Sequence, residues 1–126
     1  MYMHFNPNPQ NKIGEDCVIR AVAKVMEIPW ERAYTELCLE GLRLGNVPSS
    51  NAVWGTYLHE HGFVREPLPN TCPDCYTVNT FCLETPKGTY ILATGSHVVA
   101  VIDGNYYDAW DSGEEVPVFA WKKEGE

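Results

Sequence analysis

Between Cys17 and Glu27 the apolar residues Ile19, Val22, Ala23 and Met26 recur at spacings of three and four, the period of an amphipathic helix. Asp16 stands where an N-cap belongs. Ile28-Pro29-Trp30 interrupts the pattern. Pro29 suits the first turn of the helix that follows, because a backbone N–H there would have no helical partner in any case. That second helix is expected to reach about Glu40, with Ala33, Tyr34, Leu37 and Cys38 inward and Gly41 as its stop. A third begins after Ser49-Ser50, carries Val53, Trp54, Tyr57, Leu58 and His61, and ends at Gly62.

The period then changes. Residues 66–75 hold three prolines and the turn Cys72-Pro73-Asp74-Cys75, and are expected to be loop. Thr77 can cap a short helix to about Glu84. After Pro86-Lys87-Gly88 come the β-type runs Tyr90–Thr94 and His97–Ile102, a hairpin signal at Asp103-Gly104, and a returning strand from Asn105 to Trp110. Val116–Trp121 makes a last strand, which Pro117 places at an edge. Residues 1–15, rich in Asn, Pro and Gln, are expected to be an extended or looping lead-in. Helices first and strands second predict an α+β fold, N-terminal helices packed on a C-terminal antiparallel β-meander, with residues 1–126 as one domain.

Composition narrows the function classes. Hydrophobic residues at 44 % and charged ones at 21 % suit an ordinary globular domain. A net charge of −8 with nine Lys and Arg opposes nucleic-acid binding and attachment to an anionic membrane, and favours a neutral or cationic substrate. No apolar run approaches the roughly 18 residues of a membrane span. The opening Met1-Tyr-Met-His-Phe-Asn lacks the basic and apolar regions of a signal peptide, so a cytoplasmic location is expected. Five cysteines at irregular spacing predict reduced thiols rather than a disulfide scaffold.

Cys17 at the first turn of a helix is the sharpest chemical feature. Unpaired N–H groups and the helix dipole stabilise a thiolate there, and a nearby imidazolium does so further. His97 opens an apolar strand about 80 residues later, and acids follow on the return strand. Nucleophile, base and orienting group is the logic of a catalytic triad. If the hairpin centres on Gly104, His97 lies opposite Asp111. If the turn is the two-residue Asp103-Gly104, His97 faces Trp110, and Asp108 opposes Val99 on the histidine's face. Asp111 is the preferred third member and Asp108 the second choice. Cys72-x-x-Cys75 competes as half a zinc site, with Cys82 and His59 or His61 as further ligands. A strong second half is missing, and a redox motif would follow a strand and precede a helix. Ordinary loop thiols, with no metal and no cofactor, are therefore expected.

The segments Asp16-Cys17-Val-Ile-Arg-Ala and Ser96-His97-Val-Val-Ala-Val together resemble the papain-like cysteine peptidases, in particular the bacteriocin-processing peptidase domains of exporters and small phage-associated or bacterial proteins of that fold. Those domains also place Asp-Cys at a helix start, a His before a valine-rich strand and an Asp on the next strand. The similarity extends from Asn8-Pro9 through Ser112. In the wider superfamily the third residue is an Asn or Asp closely followed by Trp. Here Trp110 follows Asp108 and precedes Asp111, which leaves both open. The resemblance implies a peptide or protein substrate and an oxyanion-stabilising glutamine six residues before the cysteine. That position holds Asn11, with Gln10 one further back. The same fold serves cell-wall amidases and acyltransferases, and a non-catalytic or zinc-stabilised binding module is the alternative of a different class.

Overall fold

The helical periods become α1 (Cys17–Met26), α2 (Trp30–Leu44) and α3 (Asn51–Glu60) in a computed structural model, which describes residues 1–125. Ser50 caps α3 by accepting the Ala52 N–H at 3.2 Å. Helix α2 does not stop at Gly41 as the sequence suggests, but runs on to Gly45, whose φ of 71° forms its left-handed end. Gly41 serves packing instead. The chain folds back so closely that a Cβ there would meet the Asn46 carbonyl oxygen at 2.6 Å.

The strands are β1 (Tyr2–His4), β2 (Phe63–Pro67), β3 (Thr89–Ala93), β4 (Val98–Ile102), β5 (Asn105–Asp108) and β6 (Phe119–Lys123), with α4 (Val78–Glu84) between β2 and β3. They form one sheet in the order β1-β5-β4-β3-β6-β2, so the architecture is α+β. The meander β3-β4-β5 is antiparallel, as expected, but β1 joins β5 in parallel and makes the sheet mixed. Strand β6 is interior rather than an edge. Pro117 lies before the strand begins, so it removes no ladder hydrogen bond, and β2 covers the far side. Strands β1 and β2 carry no clear apolar alternation, because both are sheet edges with mostly exposed side chains.

Two cores flank the sheet. On one side α1, α2 and α3 bury Val22, Leu37, Trp54 and Leu58 against Ile91 and Ala100. On the other, α4 packs Val78 and Phe81 against Leu92, Val99 and Val101. Strand β3 is thus buried along its whole length, and β4 at all but its last residue. That is why these strands read as unbroken apolar runs.

The β4–β5 turn pairs Ile102 with Asn105, so Asp103 and Gly104 are its two central residues. Both have positive φ, 49° and 78°, which is the type I′ pattern that matches strand twist. The Gly104-centred turn considered above is thereby corrected. Cys72 and Cys75 are joined in a disulfide, which corrects the expectation of reduced loop thiols. The intervening turn brings their Cα atoms to 4.1 Å. Cys17, Cys38 and Cys82 are free. Among the described residues no helix is long and apolar enough to cross a membrane.

The turn geometry sets a prediction. Gly104→Ala forces a Cβ into the left-handed region and against the Cys82 carbonyl oxygen at 3.2 Å. It should cost about 1 kcal/mol or more in urea unfolding. An unchanged midpoint would contradict the I′ turn.

Candidate active site

Cys17 is the first residue of α1, and its position follows from what Asp16 does. Asp16 occupies the N-cap place, but its side chain accepts no hydrogen bond from the helix backbone. Its Oδ1 accepts from Arg20 Nη1 at 2.7 Å, and its Oδ2 from Trp30 Nε1 at 3.0 Å and Asn8 Nδ2 at 3.3 Å. The carboxylate therefore ties the helix start to its own next turn, to α2 and to the lead-in segment. The first-turn N–H groups are left without a side-chain cap.

His97 directly precedes β4, in a loop braced by Thr94. The Thr94 hydroxyl oxygen accepts the His97 N–H at 2.9 Å, and the Thr94 N–H donates to the His97 carbonyl at 2.8 Å. The imidazole Nε2 lies 2.6 Å from Asp108 Oδ2. The other ring nitrogen, Nδ1, is then the one left for the Cys17 thiol, which lines the same cleft and whose titration the ring influences. Continued beyond the Ala100–Tyr107 pair, the hairpin register sets Trp110 against His97, and their ring centroids are 4.7 Å apart.

Asp108 is fully buried and accepts four hydrogen bonds: Arg20 Nη2 (2.8 Å) and its neighbour's Ala109 N–H (2.8 Å) at Oδ1, His97 Nε2 (2.6 Å) and Ser112 Oγ (2.6 Å) at Oδ2. Both oxygens are thus saturated, and the carboxylate has one orientation. Arg20, 2 % exposed, bridges Asp16 and Asp108. Asp16, Arg20, Asp108, His97 and Cys17 form a row of groups that can carry alternating charge.

The structure brings together Cys17, His97 and Asp108, and leaves the preferred Asp111 apart. Asp111 accepts from the Tyr106 hydroxyl at 2.5 Å and from the Gly113 N–H at 3.0 Å, and so braces the turn after β5. The two-residue hairpin turn is the cause, since it sets Asp108 rather than Asp111 on the histidine's side. Gln10 and Asn11 are exposed, sit in a turn closed on Asn8, and do not line the cleft around Cys17. The metal reading of Cys72, Cys75 and Cys82 finds no geometry. The first two are bonded to each other and Cys82 is buried in the α4 core. Arg20, Ser112 and Thr94 were not foreseen. The i,i+4 spacing of Asp16 and Arg20, with the cation amid the apolar face of α1, was the available signal for Arg20.

The electrostatics follow from the geometry. Burial by itself would raise the Cys17 pKa. The hydrogen bond and charge of His97, the Val98 N–H and the charge of Arg20 outweigh it and hold the thiol below its ordinary value. Burial likewise opposes the charged imidazole, yet Asp108 and Cys17 push His97 up to about 9. Asp108 is held low, against its own desolvation, by His97, Ser112 and Arg20. The three shifts all favour the ion-paired form, thiolate beside imidazolium. The pair opens on a cleft of about 580 Å³, with Gly14, Glu15 and Ser49 on one wall and Thr94, Gly95 and Ser96 on the other.

Arg20→Met should destabilise the protein by about 3–5 kcal/mol near pH 7, because buried carboxylates lose their partner. Asp108 is depressed in the folded state, so its stabilisation is full above the unfolded carboxylate pKa and is lost as pH falls through the folded value. The gap between wild type and variant in urea unfolding should therefore narrow below about pH 4. A gap that is small at pH 7, or independent of pH, would refute the bridging role.

No family model matches the chain, and neither a curated protein nor a solved structure matches it.

Proposed function

We propose that the protein is a thiol hydrolase, a cysteine peptidase-like enzyme that cleaves an amide or other acyl bond in a peptide or protein. The observation that carries this reading is the Cys17–His97–Asp108 arrangement at the start of α1 and the mouth of β4, open to a cleft. A helix-start nucleophile facing a sheet that supplies base and acid is also the papain-like arrangement. The thiolate of Cys17 attacks the carbonyl carbon, and the imidazolium of His97 protonates the leaving amine as the C–N bond breaks. His97, now neutral, takes a proton from water, which attacks the acyl-enzyme and frees the thiolate. Asp108 keeps the ring oriented and stabilises its charged form. With Gln10 and Asn11 outside the cleft, the oxyanion falls to the uncapped N–H groups at the start of α1.

Intact-mass measurement with p-nitrophenyl acetate tests the assignment. One acetyl group should appear on Cys17 and none on the Cys17→Ala variant. His97→Ala should slow acylation by about a hundredfold or more, and Asp108→Asn by about tenfold or more. Asp111→Asn should leave the rate near that of wild type. Acylation at Cys38 or Cys82 instead, or equal losses for the Asp108 and Asp111 variants, would overturn it.

A further inference from the structure

A second groove, of about 430 Å³, runs between α3 and strands β2 and β6 and shares Asn51 with the Cys17 cleft. Its floor is made by Phe119 and Trp121, both nearly buried. The indole of Trp121 lies close to α3 because position 55 is glycine, where a Cβ would meet the ring at 3.1 Å. His59 stands on the helix wall and Arg65 on the strand wall. Arg65 pairs with Trp121 across the sheet, and its guanidinium is 4.1 Å from the centroid of the Phe119 ring.

Charge singles this groove out. The chain has a net charge of −8, yet no carboxylate lines the groove, and among the described residues no ion pair engages Arg65. A cation held over an aromatic face beside an apolar trough is complementary to a ligand that offers an apolar side chain and then a carboxylate. Asn51 joins the two spaces. Its Oδ1 accepts from Trp54 Nε1 at 3.1 Å, which leaves the amide N–H groups for a carbonyl passing from one to the other.

We propose that this groove holds the length of a peptide substrate leading away from the scissile bond, and that it selects an apolar residue followed by an acidic one. The word substrate rests on the hydrolase reading. The binding site itself does not.

The test uses full-length Cys17→Ala protein, so that binding is measured without turnover. Two acetylated hexapeptide amides serve as probes, one with two glycines, two leucines and two glutamates, the other with lysines in place of the glutamates. Nuclear magnetic resonance should show a saturable shift of the Trp121 indole N–H, with the glutamate peptide bound about fivefold or more tighter. Arg65→Gln should remove that preference, and Ala52→Trp, which fills the groove from an exposed helix position, should weaken both peptides. In wild type, the glutamate peptide should also slow alkylation of Cys17 by iodoacetamide. An unmoved Trp121 signal, equal affinity for the two peptides, or binding that leaves Cys17 alkylation unchanged would each overturn the proposal. Binding and protection as expected, with no acyl-enzyme formed from p-nitrophenyl acetate, would uphold the groove and reject the hydrolase reading.

Discussion

A guanidinium that is 2 % exposed must be matched by negative charge, and in this protein the match joins the helices to the sheet. Arg20 points one nitrogen at Asp16, which precedes Cys17, and another at Asp108, which faces His97. The planar fork of arginine can hold two carboxylates at fixed angles, which a lysine ammonium cannot. The same ion bridge therefore fixes where α1 begins and how the end of β5 lies against it. Cys17 and His97 sit at the two ends of this brace. Their pairing depends on a buried charge network that neither residue belongs to alone.

The hairpin supplies the second constraint. With Asp103 and Gly104 both in left-handed conformations, β4 and β5 have one register, and it decides which acid reaches the imidazole. Moving the turn by one residue would exchange Asp108 for its neighbours and turn a saturated carboxylate away from the ring. Trp110, on the same register, sets its ring tilted against the imidazole of His97.

Much of this was legible in the chain. The helical periods, the Asp103-Gly104 hairpin and the Cys17–His97 pairing can be read because each is a local pattern or a repeated logic of side-chain types. The edge strands β1 and β2 were not legible, since an edge strand needs no apolar alternation and borrows its pairing from distant residues. Helix α2 overran Gly41 because close packing, invisible in one dimension, asked for a small residue there. The acid was misassigned because one residue of turn length changes the register, and sequence allows both lengths. The disulfide was missed because composition alone says little about two cysteines three residues apart. Arg20 carried a readable hint in its spacing from Asp16, but its second partner lies 88 residues away.

The central claim is that His97 stabilises the thiolate of Cys17. Thiolate absorbance near 240 nm, taken as wild type minus Cys17→Ala across a pH titration, measures it directly. His97 is raised to about 9 and Cys17 is lowered, so the thiolate signal should develop at a pH below the ordinary thiol value of 9.0. His97→Ala should move the thiolate signal upward in pH, since it removes the stabilising charge. A wild-type signal that develops only near the ordinary thiol value of 9.0, with His97→Ala indistinguishable from it, would contradict the account.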